Sequence, residues 1–297
     1  MNYYDDNLIW KDIIETISRE LKRNNLMIEK DVIQSKFLYN LSKYDFPFVF
    51  KGGTSLSKAY GLIDRFSEDI DLSVDRKITD KEKKKSKEII LEVANNLGLT
   101  PINLDNVLSR HDYNKYIFSY NSLFSDEPME IIVETSYFME VYPVVLKEVN
   151  SYVYSFAKDN NITIPVDFVE GSFKMKVQSL ERTFIDKVFA ICDYRICNMM
   201  DRDSRHLYDI AKMYPKINFN DNLKELINKV RLDRSKSKNN PSSDFKYDIN
   251  KMLEEIISSN FYESDYRNIT EKLLYEKYPY EKSLKEGIEK VIELNIF

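Results

Sequence analysis

Six glycines in 297 residues is few, so the adjacent pair Gly52-Gly53 stands out. The two cysteines, Cys192 and Cys197, fall five apart in a helical stretch. That spacing is neither a zinc knuckle nor a disulfide framework, and it predicts two free, mostly buried thiols in a reducing compartment. The two histidines, His111 and His206, are too few and too far apart for a zinc site. No apolar run approaches the roughly 18–20 residues that a membrane helix needs. The start of the chain carries Asp5, Asp6 and Lys11, which is not a signal-peptide pattern, so a cytoplasmic location is expected. There is no internal repeat. A net charge of −5 argues against wholesale coating of nucleic acid, while leaving room for a local basic groove. What is present is 43% hydrophobic and 31% charged, enough core material for one large or two modest domains.

The most informative stretch is residues 48–74. Phe46, Phe48, Val49 and Phe50 form the apolar run of a strand, and Pro47 sits where a missing N–H is tolerated. Gly52 and Gly53 then let the backbone turn and approach something closely, since neither has a Cβ. Thr54 and Ser55 open a short helix through Leu56, Ala59 and Tyr60. A second strand follows with Ile70, Leu72 and Val74 on one face and Asp69, Asp71 and Ser73 on the other. Two adjacent carboxylates repel unless they are solvated or share a cation. Oxygen-only donors suit Mg²⁺, which takes one or two protein carboxylates together with substrate phosphates. A glycine turn feeding a helix offers backbone N–H groups to those same phosphates.

Gly52-Gly53-Thr54-Ser55 followed by Asp69-x-Asp71 resembles the signature of the polymerase-β-type nucleotidyltransferase superfamily. The longer string Phe50-Lys51-Gly52-Gly53-Thr54-Ser55-Leu56, with Arg65-Phe66-Ser67-Glu68-Asp69-Ile70-Asp71-Leu72, is similar to a narrower group. It resembles the AbiEii family, the nucleotidyltransferase toxins of type IV toxin–antitoxin and abortive-infection systems. Motifs of that kind run from about residue 28 to residue 215, and more faintly into the tail. The resemblance implies Lys51, Gly52, Gly53, Thr54 and Ser55 as nucleotide-binding residues and Asp69 and Asp71 as metal-binding, catalytic residues. It also implies a nucleoside triphosphate as substrate, Mg²⁺ as cofactor with Mn²⁺ as the other candidate, and a cognate antitoxin as partner.

Elsewhere the periodicity predicts helices over residues 7–23 and 29–42, the second entered through Glu29-Lys30-Asp31. Thr79 and Glu82 form a capping box, with Ile78 as a staple, for a helix running to Gly98. The lysine-rich run 81–87 on its first turns reads as a solvated face or as phosphate contacts to RNA. Residues 112–121 and 129–136 alternate as strands, and residues 144–158 read as a helix. Glu130 and Glu134 share a face of the later strand, and either could be a third metal carboxylate. An antiparallel pairing with the Asp69–Val74 strand would favour Glu134, and the AbiEii resemblance points to Glu134 as well.

A short strand at 172–177 precedes a helical remainder, which puts a boundary near residue 170. The expected fold is α/β (α+β), a mixed β-sheet nucleotidyltransferase core over 1–170 and a mostly helical lobe over 171–297, with the active cleft between them. Lys187 lies between core positions Phe184 and Val188, either snorkelling or aimed at a triphosphate. Arg205 and Asp209, at i and i+4, predict an ion pair on one helix face. In the AbiEii resemblance Lys187 and Asp209 are active-site residues, with Asp209 orienting Lys187 or serving as base, while His206 stands where the family often has aspartate. The polar stretch 235–245 predicts a loop. Tyr262, Tyr266, Tyr275, Tyr278 and Tyr280 read as helical core or as base-stacking groups. The resemblance implies nucleotide transfer to an RNA acceptor, most naturally a tRNA 3′ end, or to a protein hydroxyl. Two other readings stand beside it: a nucleotide-binding regulator that transfers nothing, and a small-molecule transferase of the antibiotic-modifying kind.

Overall fold

The structure, a computed structural model, describes residues 7–103, 112–139, 141–164 and 171–297. The expected boundary near residue 170 and His111 lie outside the described residues. The chain divides into two units, Met1–Gly61 with Ser67–Gln178, and Leu62–Phe66 with Ser179–Phe297.

The first unit is built on a mixed sheet. Its strands are β1 (Phe48–Lys51), β2 (Asp69–Val74), β3 (Thr100–Pro101), β4 (Tyr113–Tyr120), β5 (Met129–Ser136), β6 (Val144–Val149) and β7 (Phe173–Gln178). They lie in the order β3-β4-β5-β2-β1-β7-β6. The β2–β5 and β1–β7 pairs are parallel and the rest antiparallel. Alternation along the strands gives the sheet one apolar face. Phe48, Phe50, Ile70, Leu72, Tyr116, Phe118, Ile131 and Val133 pack there against Phe37, Leu38 and Leu41 of α2 (Asn25–Ser42) and Ile89, Ile90 and Val93 of α4 (Asp80–Asn96). The other face carries Lys51, Asp69, Asp71, Lys115 and Glu134, all half-buried.

Helix α1 (Asn7–Leu21) packs on α2 through Trp10, Ile14, Ile17, Ile28 and Val32. The capping box at α4 is present, with the Thr79 hydroxyl and the Glu82 carboxylate each serving the other's backbone N–H. Such a cap contributes about 1 kcal/mol. The lysines behind it at 81, 84, 85 and 87 are exposed, and Lys83 is paired to Asp80 and Asp112.

Two expectations are corrected in this unit. Residues 144–158 are not one helix: β6 runs first, and α5 (Tyr152–Asp159) starts after the Ser151 cap. The strand β6 forms because Val144–Val149 finds β7 as an antiparallel partner, which the local pattern does not reveal. The β2–β5 pairing is parallel where the antiparallel alternative favoured Glu134. Glu134 still ends beside Asp71, because the parallel register pairs Asp71 with Glu134 directly.

The second unit is helical: α6 (Leu180–Ile196), α7 (Arg205–Met213), α8 (Asp221–Arg234) and α9 (Ile249–Ser258), then shorter helical turns to Leu294. The 235–245 stretch is tied down. Ser242 donates its N–H to Asp193 (2.8 Å) and its hydroxyl to the Phe189 carbonyl (3.1 Å), and Arg231 donates to the carbonyls of Ser243, Asp244 and Tyr247. The tail tyrosines at 262, 266, 278 and 280 are buried, so they are core rather than a stacking platform. Tyr262 donates to the Ile191 carbonyl (2.7 Å) and Tyr266 to the Tyr278 carbonyl (3.0 Å). Cys192 is buried as expected, while Cys197, just past the end of α6, is exposed. Among the described residues no helix is long and apolar enough to cross a membrane.

Candidate active site

The glycine pair does not precede its helix; it begins it. Helix α3 (Gly52–Lys58) follows β1 without a spacer, and Lys51 is its N-cap residue in extended conformation. Gly52 has φ +75°, which side chains rarely adopt. It also lies against Asp71: a Cβ added there would stand 1.9 Å from Asp71 Oδ2 and 2.7 Å from its Cγ. The close approach expected of this turn is therefore to the second aspartate. Lys51 is the antiparallel partner of Asp71, so a cationic side chain shares its face.

The hydroxyls next to the glycines point inward. Thr54, 1% exposed, bonds the Ser67 hydroxyl (2.9 Å) and donates to the Asp69 carbonyl (2.5 Å), pinning the start of β2. Ser55, fully buried, donates to the Gly52 carbonyl (2.8 Å). What the segment can offer a ligand is its main chain, because the first N–H groups of a helix have no intrahelical acceptor.

Asp69 and Asp71 leave β2 on one face, and Glu134 leaves β5 on the same face, in register with Asp71. Neighbouring strands are about 4.8 Å apart, and alternate residues along one strand about 6.6 Å. Glu130 lies two residues before Ile132, the partner of Asp69, so it falls beyond the start of β2. The Glu134 carboxylate is drawn to Lys115 (3.1 Å) and is bonded by the Tyr113 phenol. Burial, then the charge of Glu134, push that phenol above its ordinary pKa. Among the described residues no three His, Cys, Asp or Glu side chains are gathered into a finished metal cage. Even so, the donor set fits a hard divalent cation. All the donors are carboxylate oxygens, they share one half-buried face, and Gly52 leaves the space that the Asp71 carboxylate fills.

Lys30, on α2, was not singled out from the sequence as a site residue. It is buried, and burial lowers its pKa against the opposing charges of Glu68, Asp69 and Glu130. Asp69 is thus among the acids that favour its charge.

In the second unit Lys187 and Asp209 meet. Lys187 Nζ is 2.8 Å from Asp209 Oδ2, with side-chain exposures of 8% and 0%. Asp209 also accepts both arms of the Arg65 guanidinium, at 2.7 Å each. The expected Arg205–Asp209 pair does not form: Arg205 pairs instead with Asp203 (2.9 Å), because Asp209 faces the interior. Burial alone would raise Asp209, but Arg65 and Lys187 outweigh it and hold the carboxyl well below its usual range. Lys187 is lowered by burial and partly restored by Asp209. The lysine therefore does not snorkel to solvent; its head is locked in an internal ion network.

Arg65 is a second residue that sequence reasoning missed as part of a site. It belongs to Leu62–Phe66, the short piece of the N-terminal half that packs with the helical unit. That piece is held by Asp64 N–H to the Tyr208 hydroxyl (2.9 Å), Phe66 N–H to the Leu273 carbonyl (2.9 Å) and Tyr275 N–H to the Asp64 carbonyl (3.1 Å). No local spacing could have paired Arg65 with a carboxylate 144 positions away.

The family profile described as "Nucleotidyl transferase AbiEii toxin, Type IV TA system" matches residues 36–289. No curated protein sequence matches significantly. A crystal structure from Helicobacter pylori, of a protein provisionally called a nucleotidyltransferase, is 19% identical with a TM-score of 0.50, covering 92% of this chain and 95% of its own. JHP933, also from Helicobacter pylori, is 20% identical with a TM-score of 0.49, and the match covers 92% of each chain. MenT4, a nucleotidyltransferase toxin from Mycobacterium tuberculosis H37Rv, is 19% identical with a TM-score of 0.46, covering 83% of this chain and 72% of its own.

Proposed function

Because the chain belongs to the AbiEii family of nucleotidyltransferase toxins of type IV toxin–antitoxin systems, we propose a specific reaction for it. A nucleoside monophosphate passes from a nucleoside triphosphate to the 3′ hydroxyl of a tRNA, with pyrophosphate as the leaving group and Mg²⁺ as the cofactor. A cognate antitoxin restrains the enzyme in the cytoplasm. The observation that carries the reading is the register of β2 and β5, which puts Asp71 beside Glu134 with Asp69 on the same face.

Asp69 and Asp71 hold the cation, and Glu134 is the third carboxylate. There the side chains of Asp69, Asp71 and Glu134 would hold a divalent ion, which would supply the positive charge needed at the α-phosphate and at the acceptor hydroxyl. The main-chain N–H groups of Gly52–Ser55, with Lys51 beside them, take the triphosphate oxygens. Lys187 neutralises charge on the departing pyrophosphate. Asp209 is a positioning residue: a fully buried carboxylate shared by two cations is a poor base but a firm orienter of the lysine. Catalysis is then chiefly orientation and charge neutralisation.

The test is incubation with each of the four α-labelled nucleoside triphosphates, Mg²⁺, total RNA and cell protein. Label in the tRNA fraction, lost with EDTA and with Asp69→Asn or Asp71→Asn, is the expected result. Label only on protein or on small molecules would overturn the acceptor, and no transfer with intact triphosphate binding would leave a regulator.

A further inference from the structure

The periodicity of α4 sorts its side chains into two sides. Ser86, Ile89, Ile90, Val93 and Ala94 are buried, which leaves Lys81, Lys84, Lys85 and Lys87 exposed on the first turns. Residues three and four apart are neighbours on a helix, so the four ammonium groups form one patch. The acids around it are engaged elsewhere. Asp80 (3.2 Å) and Asp112 (2.7 Å) pair with Lys83, Glu82 (2.7 Å) with Arg76, and Asp75 (2.6 Å) with Lys176. Glu92, a turn beyond, is bonded by the Tyr44 phenol. Glu88 lies exposed among the lysines and offsets one charge. None of the four lysines has an ion-pair partner among the described residues. Four lysines against one glutamate leave a surplus of positive charge, on a chain whose net charge is −5.

We propose that this face of α4 binds the phosphate backbone of the acceptor RNA. This rests on the reading of the chain as an RNA-directed nucleotidyltransferase, and it adds where the acceptor is held. Lysines alone suffice for phosphate, since that binding is electrostatic and driven by counterion release. They do not suffice for a protein partner, because interface centres are apolar or aromatic and poor in lysine. A membrane surface would need the apolar side of the helix to enter lipid, and that side of α4 is buried against the sheet. The position suits an acceptor rather than the triphosphate. Helix α4 covers the apolar face of the sheet, while Asp69, Asp71 and Glu134 leave the other face. The two are linked around the end of the sheet. Ser86 and Tyr137 share a hydroxyl hydrogen bond, and Tyr137 follows the last residue of β5. Lys83 holds Asp112, which is next to Tyr113 and its bond to Glu134. A ligand must be long enough to pass that end of the sheet to touch both, and an RNA is.

The test compares the full-length original protein with a variant combining Lys81→Gln, Lys84→Gln, Lys85→Gln and Lys87→Gln. Glutamine keeps the helix propensity of lysine, so the melting temperature should hold. A control variant neutralises four scattered exposed lysines instead, at positions 224, 238, 272 and 285. Binding of purified tRNA is followed by fluorescence anisotropy at several salt concentrations, and KM is measured for each substrate of nucleotide transfer. The α4 variant should bind tRNA about tenfold more weakly or worse at about 0.1 M salt, and its log–log salt slope should flatten by about 3. Its KM for tRNA should rise in step, while its KM for the triphosphate stays within about twofold, because the lysines lie on the face away from the acids. The control should match the original protein. Equal tRNA affinity in the α4 variant and the original protein, or an equal loss in the control, overturns the proposal. If the original protein binds tRNA but transfers nothing to it, the transferase reading fails, and the anisotropy comparison still decides for or against the face. No binding of tRNA by the original protein overturns both.

Discussion

Replacing Gly52 by alanine separates what the glycine does for the fold from what it does for the acids. At φ +75° the change costs about 1–2 kcal/mol in backbone strain alone. Gly61 is the matched control: its φ is +61°, yet an added Cβ meets nothing within 4 Å. Both variants should therefore melt about 2–8 °C lower, by the usual relation between stability and melting temperature for a chain of this size. The two should diverge in activity. At position 52 the new Cβ would stand 1.9 Å from the Asp71 carboxylate oxygen, and the contact can be relieved only by moving Asp71 or the turn. A displacement of about 1 Å in a positioned catalytic group costs on the order of 100-fold in rate. Metal-dependent transfer of α-labelled nucleotide should thus fall about 100-fold in Gly52→Ala and stay within threefold in Gly61→Ala. If both variants lost activity alike, or neither did, the claim that this glycine exists to admit Asp71 would be wrong.

Arg65→Ala leaves Asp209 with Lys187 alone, and breaking a buried pair of this kind costs about 3–5 kcal/mol; a urea midpoint close to that of the original protein would count against the network. Arg65→Lys keeps the charge but loses the two-armed fork, and should recover only part of the loss. Lys115→Ala removes the cation that competes for the Glu134 carboxylate and leaves it the Tyr113 phenol, so the Mg²⁺ concentration for half-maximal transfer should fall several-fold; no change would argue against Glu134 as the third carboxylate. Acid should weaken the helical unit. The pKa of His206 is pushed down to about 3 by burial, then by the charge of Lys187. Below its ordinary pKa of about 6.5 the unfolded chain takes up a proton that the fold refuses, so stability present at neutral pH is lost as pH falls from there toward 3. The depressed Asp209 carboxyl works in the same direction at lower pH. His206→Asn should flatten the loss between pH 7 and about 5, measured by urea unfolding at the two values; an unchanged slope would contradict it.

Much of the first unit was legible because its signals are local. Alternation over Asp69–Val74 placed both aspartates on one face, and Thr79 with Glu82 marked the start of α4. What failed was non-local. Val144–Val149 is a strand because β7 is there to pair with it, and the direction of β5 depends on chain crossings that no short pattern records. The i and i+4 rule put Arg205 with Asp209, but that rule describes exposed faces. Asp209 lies inward, where Arg65, distant in sequence, outcompetes Arg205. The tail tyrosines read first as helical core, with stacking on bases as the alternative, and the burial of Tyr262, Tyr266, Tyr278 and Tyr280 decided for the core. Lys187 stood out by its place between core positions, yet its contact with His206 is set by how α6 and α7 pack and by no local pattern.

The central claim is that Asp69 and Asp71 hold a catalytic divalent ion. It is tested most directly by titrating Mn²⁺, followed by electron paramagnetic resonance in the presence of a nucleoside triphosphate, into the original protein and into Asp71→Asn. Saturable binding by the original protein, weakened at least tenfold by the substitution with the melting temperature preserved, is the predicted result. Equal binding by the two proteins would contradict it.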